Sequence, residues 1–183
     1  MTEFEFVFPL FALLVGLSMT EMLSGLAQAL KSKREVRVGW LTPLLGTVIL
    51  INLAMFWQGS WEIRGEITAT SASLILVLVV GGAYYLASSM VFPSWGSEVT
   101  DLDEHFMEHR TVALLAIAAC NLIYFVRIAL LGQVEVRPAW WAGNTAFLAI
   151  LLVAALASNR KLILAALWTL IAAHVLMLGF GWA

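Results

Sequence analysis

Six long apolar runs alternate with short polar links along the chain. The first is FVFPLFALLVGLSMTEMLSGLAQAL (6–30), interrupted only by Glu21 and small polar residues. WLTPLLGTVILINLAMFWQG (40–59) and TATSASLILVLVVGGAYYLASSMVF (68–92) follow. After an acidic connector come TVALLAIAACNLIYFVRIALL (111–131), PAWWAGNTAFLAILLVAALA (138–157) and KLILAALWTLIAAHVLMLGFGW (161–182). A helix needs about 20 apolar residues to cross the hydrocarbon core of a bilayer. The pattern therefore predicts an all-α integral membrane protein, a single polytopic domain of six transmembrane helices. A soluble helical core would need polar faces that these runs lack.

Composition agrees with this class. The chain is 62% hydrophobic and 12% charged, against about a quarter charged in soluble domains. A formal net charge of -2, with no basic stripe, excludes a nucleic-acid partner. The lone Cys120 lies inside an apolar run, so neither a disulfide framework nor CxxC chemistry is expected. Acidic Glu3 and Glu5 precede the first run in place of a basic n-region, and the run is too long for a signal-peptide core. It is expected to remain as a span, and function is expected to reside in the bundle and its short links.

Lys and Arg in short loops set orientation. The link KSKREVR carries Lys31, Lys33, Arg34 and Arg37, which predicts that it is cytoplasmic. Arg110 and the Arg160-Lys161 pair then fall on the same side, with Arg64 and Arg137 opposite. Both termini are expected outside, the periplasm if the membrane is a bacterial inner membrane. Trp40, Trp57, Trp61, Trp95, Trp140, Trp141 and Trp182 sit at run ends, where interfacial aromatics belong.

One short motif recurs a hundred positions apart: Glu35-Val36-Arg37-x-x-Trp40 and Glu135-Val136-Arg137-x-x-Trp140. The same shift superimposes the first three runs on the last three and pairs Glu21 with Asn121. Three spans is an odd number, so equivalent halves would insert in opposite directions, as in inverted-repeat transporters. The competing reading is interfacial chemistry that arose twice, with Arg snorkelling to headgroups and Trp at their level.

Polar groups inside spans are costly and are candidate functional residues by default. Counting depth at about 1.5 Å per residue puts Glu21, Asn121, Tyr84, Tyr85 and Thr47 at one level, expected to cluster around Glu21. Asn52 and His174 form a second, outer group, with Arg127 near a helix end and expected to snorkel or pair with Glu62, Glu66 or Glu135. His174 lacks a second histidine at matching depth, so haem is not expected and no cofactor is implied. In the connector, a helix would bring Asp101, His105 and Glu108 to one face with His109 one turn on, a weak candidate for a divalent metal. An amphipathic helix at the membrane surface explains those residues equally well. Gly16, Thr20 and Ser24 make a small-xxx-small stripe on the first helix, and Gly25 and Ala29 a neighbouring row; both suit close helix packing.

No catalytic motif is present, so an enzyme is not expected. The expected function is transport or conduction of a proton, small ion or small solute by an oligomer. The alternative is a non-catalytic structural or accessory subunit of a larger membrane complex, a bundle without a continuous polar path. Expected partners are the lipid bilayer and a second copy or another membrane protein.

Overall fold

The computed structural model describes residues 2–31, 36–94, 100–131 and 138–179, and among these the elements are helices joined by short links, with one isolated bridge between Arg37 and Asp101. Six helices follow in order: α1 (Glu3–Lys31), α2 (Leu41–Glu62), α3 (Ser71–Ser89), α4 (Leu102–Leu131), α5 (Pro138–Leu156) and α6 (Arg160–Gly179), with a short 3-10 turn at Arg64–Glu66 between α2 and α3. Four of them, α1 to α4, are long and apolar enough to cross a membrane. At 19 and 20 residues, α5 and α6 are roughly 30 Å long.

Local chemistry sets the helix starts. Thr2 and Glu5 form a reciprocal capping box at the head of α1: the Glu5 amide donates to Thr2 Oγ1 (3.2 Å) and the Thr2 amide to Glu5 Oε2 (2.7 Å). Thr70 caps α3, its hydroxyl accepting from the Ser73 amide at 3.2 Å. Asp101 caps α4 by accepting from the Asp103 amide at 2.8 Å. Asn159 does the same for α6, accepting from the Lys161 amide at 2.9 Å. Pro43 falls in the first turn of α2, where its missing N–H costs nothing, whereas Pro9 lies within α1.

The central helix is α2, more than half buried along its span. It packs against α1, α4 and α6, while α3 bridges α1 and α4, and α5 bridges α4 and α6. The core is built from Met22, Leu45, Ile49, Leu53, Tyr84, Leu114, Ile117 and Leu167, all but inaccessible. The most extensive helix pairing is between α1 and α3. A Cβ on Gly81 would sit 2.6 Å from Leu14 Cδ1, and one on Gly25 would collide with the Phe92 ring beyond the end of α3. Only glycine leaves room for these contacts.

Helix pairing bears on the proposed duplication. In the first half α1 packs along α3, and α2 and α3 make no comparable contact; in the second half α5 packs on α6, and α4 does not pack along α6. Equivalent halves would show equivalent pairs, so the pairings give the inverted repeat no support. The second EVRxxW copy cannot be compared directly, because residues 135–137 lie outside the described residues. The first copy works as a staple. The Arg37 amide donates to the Thr100 carbonyl (2.8 Å), the Leu102 amide donates to the Arg37 carbonyl (3.1 Å), and Arg37 Nη1 meets Asp101 Oδ2 at 3.4 Å. Beside it, Asp103 accepts from the Leu41 amide (3.0 Å) and so caps α2 from α4, and buried Thr42 donates to the Leu102 carbonyl (2.7 Å). A side chain at Gly39 would fill the space taken by the Asp103 carboxylate.

Candidate functional site

Three polar side chains meet in the interior, one each from α2, α3 and α4. Tyr84 donates its hydroxyl to Asn52 Oδ1 in a short hydrogen bond. Asn121 Nδ2 lies 3.0 Å from both Asn52 Oδ1 and the Tyr84 oxygen, and 2.9 Å from the Ile117 carbonyl. Asn52 Nδ2 faces Asn121 Oδ1 at 3.5 Å. With Tyr84 1% and Asn52 3% exposed, water does not compete, and each group's partner is another member or its own helix. Aromatic rings wall the cluster, with Phe56 5.0 Å from Tyr84, edge to face. Such a network fastens three helices and fixes their register. Among the described residues its hydrogen bonds run within the cluster and to the Ile117 carbonyl.

The members differ from those expected. Asn121 and Tyr84 are present, but Asn52, assigned by depth to an outer group, joins them. Depth counting failed because it treats the helices as parallel. Thr42 and Leu102 meet at one end and Asn52 and Asn121 further on, so ten residues of α2 match nineteen of α4, about 15 Å against about 28 Å. The two helices therefore run obliquely. Thr47 and Tyr85 stay outside. Thr47 donates to the Pro43 carbonyl of its own helix at 2.9 Å, and half-buried Tyr85 has no hydrogen bond within the described residues.

Glu21, expected at the centre, is on the outside. It is exposed on α1, flanked by exposed Gly16, Thr20 and Ser24. The opposite face of α1 carries the buried Val15, Ser18, Met22, Gly25 and Ala29. Nothing stands within 4 Å of a Cβ placed on Gly16, and Thr20 Oγ1 turns back to the Gly16 carbonyl at 2.8 Å. No partner for the Glu21 carboxylate exists among the described residues. The polar cluster expected around Glu21 does not form there: Glu21 is exposed, and Asn121 bonds to Asn52 and Tyr84 inside the bundle.

The remaining candidates are dispersed. His174 is buried on α6, with Nδ1 2.7 Å from the Leu170 carbonyl and its ring edge-to-face with Phe147 at 5.5 Å; it does not reach Asn52. In the connector, His105 Nε2 meets the Met90 carbonyl (3.2 Å), His109 Nδ1 meets the His105 carbonyl (3.0 Å), and the two rings stack at 4.3 Å. Asp101 is engaged as cap and staple, and no group of three metal-ligating side chains assembles among the described residues. Arg127 pairs with neither Glu62 nor Glu66, and Glu135 lies outside the described residues. Its Nε is buried without a hydrogen-bond partner. Arg127 lines an apolar cleft between α1, α2, α3 and α4, with Phe8, Phe11, Val77, Ile123 and Tyr124.

Sequence reasoning missed two anchors. Arg110 Nη2 donates to the Ala157 carbonyl (2.9 Å) and Thr111 to the Ala155 carbonyl (3.1 Å), so α4 closes the carbonyl end of α5. A basic residue beside a span end signals membrane orientation and helix capping alike, and only the contact separates the two. Comparison of the chain with known protein families, curated proteins and solved structures finds no match.

Proposed function

We propose that this protein is a six-span inner-membrane protein, both termini outside, that acts as a non-catalytic subunit assembling laterally through the exposed face of α1. One observation carries the reading. Asn52, Tyr84 and Asn121 inside the bundle are bonded to one another, while Glu21 lies on the exposed face of an apolar helix. A carboxyl facing lipid costs several kcal/mol, about 2.5–3.5 on insertion scales. A second helix on the Gly16–Thr20–Ser24 stripe would approach closely and supply hydroxyl and backbone partners for it. α5 and α6 are included as spans because, at roughly 30 Å, each matches the hydrocarbon thickness.

Subunit counting in native lipid nanodiscs tests this. Wild-type protein is expected as a dimer or as part of a larger complex, and Glu21→Leu as free monomers that remain folded. Monomeric wild-type protein, or an assembly indifferent to Glu21→Leu, contradicts the reading.

A second reading is favoured by the same residue. If α1 helices line the axis of an oligomer, Glu21 forms a ring suited to carrying protons or small cations between subunits. Proteoliposome flux abolished by Glu21→Gln, with assembly intact, supports transport; no flux from wild type rejects it.

A further inference from the structure

The cleft lined by Arg127 lies off the buried face of α1, not the face that carries Glu21, and serves neither reading above. Its free volume is about 90 Å³, a narrow slot smaller than a typical small-ligand site. Its floor is made by Val7, Phe11, Val80 and Cys120, all buried. From Cys120 to Arg127 it runs along α4 for about 10 Å. A shallower groove over Leu76, Leu122, Val126 and Leu130 shares Leu76, Ile123 and Arg127 with it and opens between α3 and α4. The space is thus a hydrocarbon slot with a lateral entrance.

Its polar rim is nearly silent. Ser60 Oγ donates to the Phe56 carbonyl at 2.8 Å, and Ser73 Oγ meets Thr70 Oγ1 at 3.1 Å. Exposed Glu62 accepts from Gln58 at 3.5 Å. Arg127 is the charged residue lining the cleft, and within the described residues no acid lies in ion-pairing distance of it. A half-buried guanidinium with an unsatisfied Nε needs an acceptor, and a planar fork suits a phosphate or carboxylate.

We propose that this cleft and the groove continuous with it, which has about 550 Å³ of free volume, bind one anionic lipid, its acyl chain lying along the groove and into the slot and its phosphate or carboxylate on Arg127. The apolar lining holds the chain, and Arg127 selects the headgroup by charge. The proposal rests on the membrane reading but not on assembly through α1.

Native mass spectrometry of the full-length protein in mild detergent tests it, with phosphatidylglycerol, phosphatidylcholine and oleate as probes. Wild-type protein should retain one phosphatidylglycerol in preference to phosphatidylcholine, a comparison that needs no variant. Arg127→Gln should weaken this by about tenfold, the loss of one charge-assisted hydrogen bond. Val77→Trp, which fills the slot and leaves Arg127 in place, should weaken it comparably, with folding checked by thermal unfolding. Displacement by oleate identifies a free carboxylate as an accepted source of the anion; resistance to oleate identifies the phospholipid headgroup. Equal retention of the two phospholipids overturns the proposal, as does undiminished binding by a folded Val77→Trp, which would mean a headgroup contact without a bound chain. Release of the protein from membranes by alkaline carbonate would instead overturn the membrane reading itself.

Discussion

Asn121 and Glu21 stand at matching positions of the two halves of the sequence, yet the structure treats them oppositely. Asn121 faces inward, and its amide meets Asn52, Tyr84 and its own helix. Glu21 faces outward with exposed small residues on either side. Both are polar groups in apolar helices, so both need partners. One finds them within the chain; for the other, a partner from another molecule is the proposed answer. A polar residue in an apolar span therefore does not mark a site by itself. Whether its neighbours satisfy it decides between a structural latch and an unmet requirement.

The two faces of α1 give the sharpest way to break this contrast. Gly25→Leu should be the most damaging change, because even a Cβ there collides with the Phe92 ring. Overpacking of this kind costs about 3 kcal/mol, read as a large fall in thermal or denaturant midpoint in detergent. Asn52→Leu removes the acceptor of Tyr84 and Asn121 and leaves a buried hydroxyl unpaired, a loss of about 1–2 kcal/mol in the same assay. Asp103→Ala uncaps α2 and should cost about 1 kcal/mol. Gly16→Leu, on the open face, should leave the unfolding midpoint within about 0.5 kcal/mol of wild type while abolishing assembly. If Gly16→Leu unfolds the protein and Gly25→Leu does not, the assigned faces of α1 are reversed.

Much of the architecture was legible in the sequence. Apolar runs at 6–30, 40–59 and 138–157 became α1, α2 and α5 with ends shifted by a few residues. The run at 111–131 became a longer α4 that begins at Leu102, because Asp101 caps it and the connector continues the helix. Less of the site was legible. Run lengths give depth but neither helix tilt nor the direction of a side chain, so Asn52 was placed apart from the residues it bonds. On α1 the stripe of Gly16, Thr20 and Ser24 beside Glu21 suits a packed face as well as an open one, which hid which face was buried. The close-packing glycines, Gly25 and Gly81, are told from the open Gly16 only by what stands opposite them. The cleft beside Arg127 draws on four helices and has no signature in any one of them.

The central claim is that the Glu21 face of α1 is covered by another molecule while the Asn121 face is not. Photocrosslinking in intact membranes tests it most directly, with a benzophenone side chain placed at Ser24 or, separately, at Tyr84. The account predicts a light-dependent adduct of higher mass from position 24 and none from position 84, which is enclosed by the chain itself. Absence of any protein adduct from position 24, with only lipid attached, would contradict it.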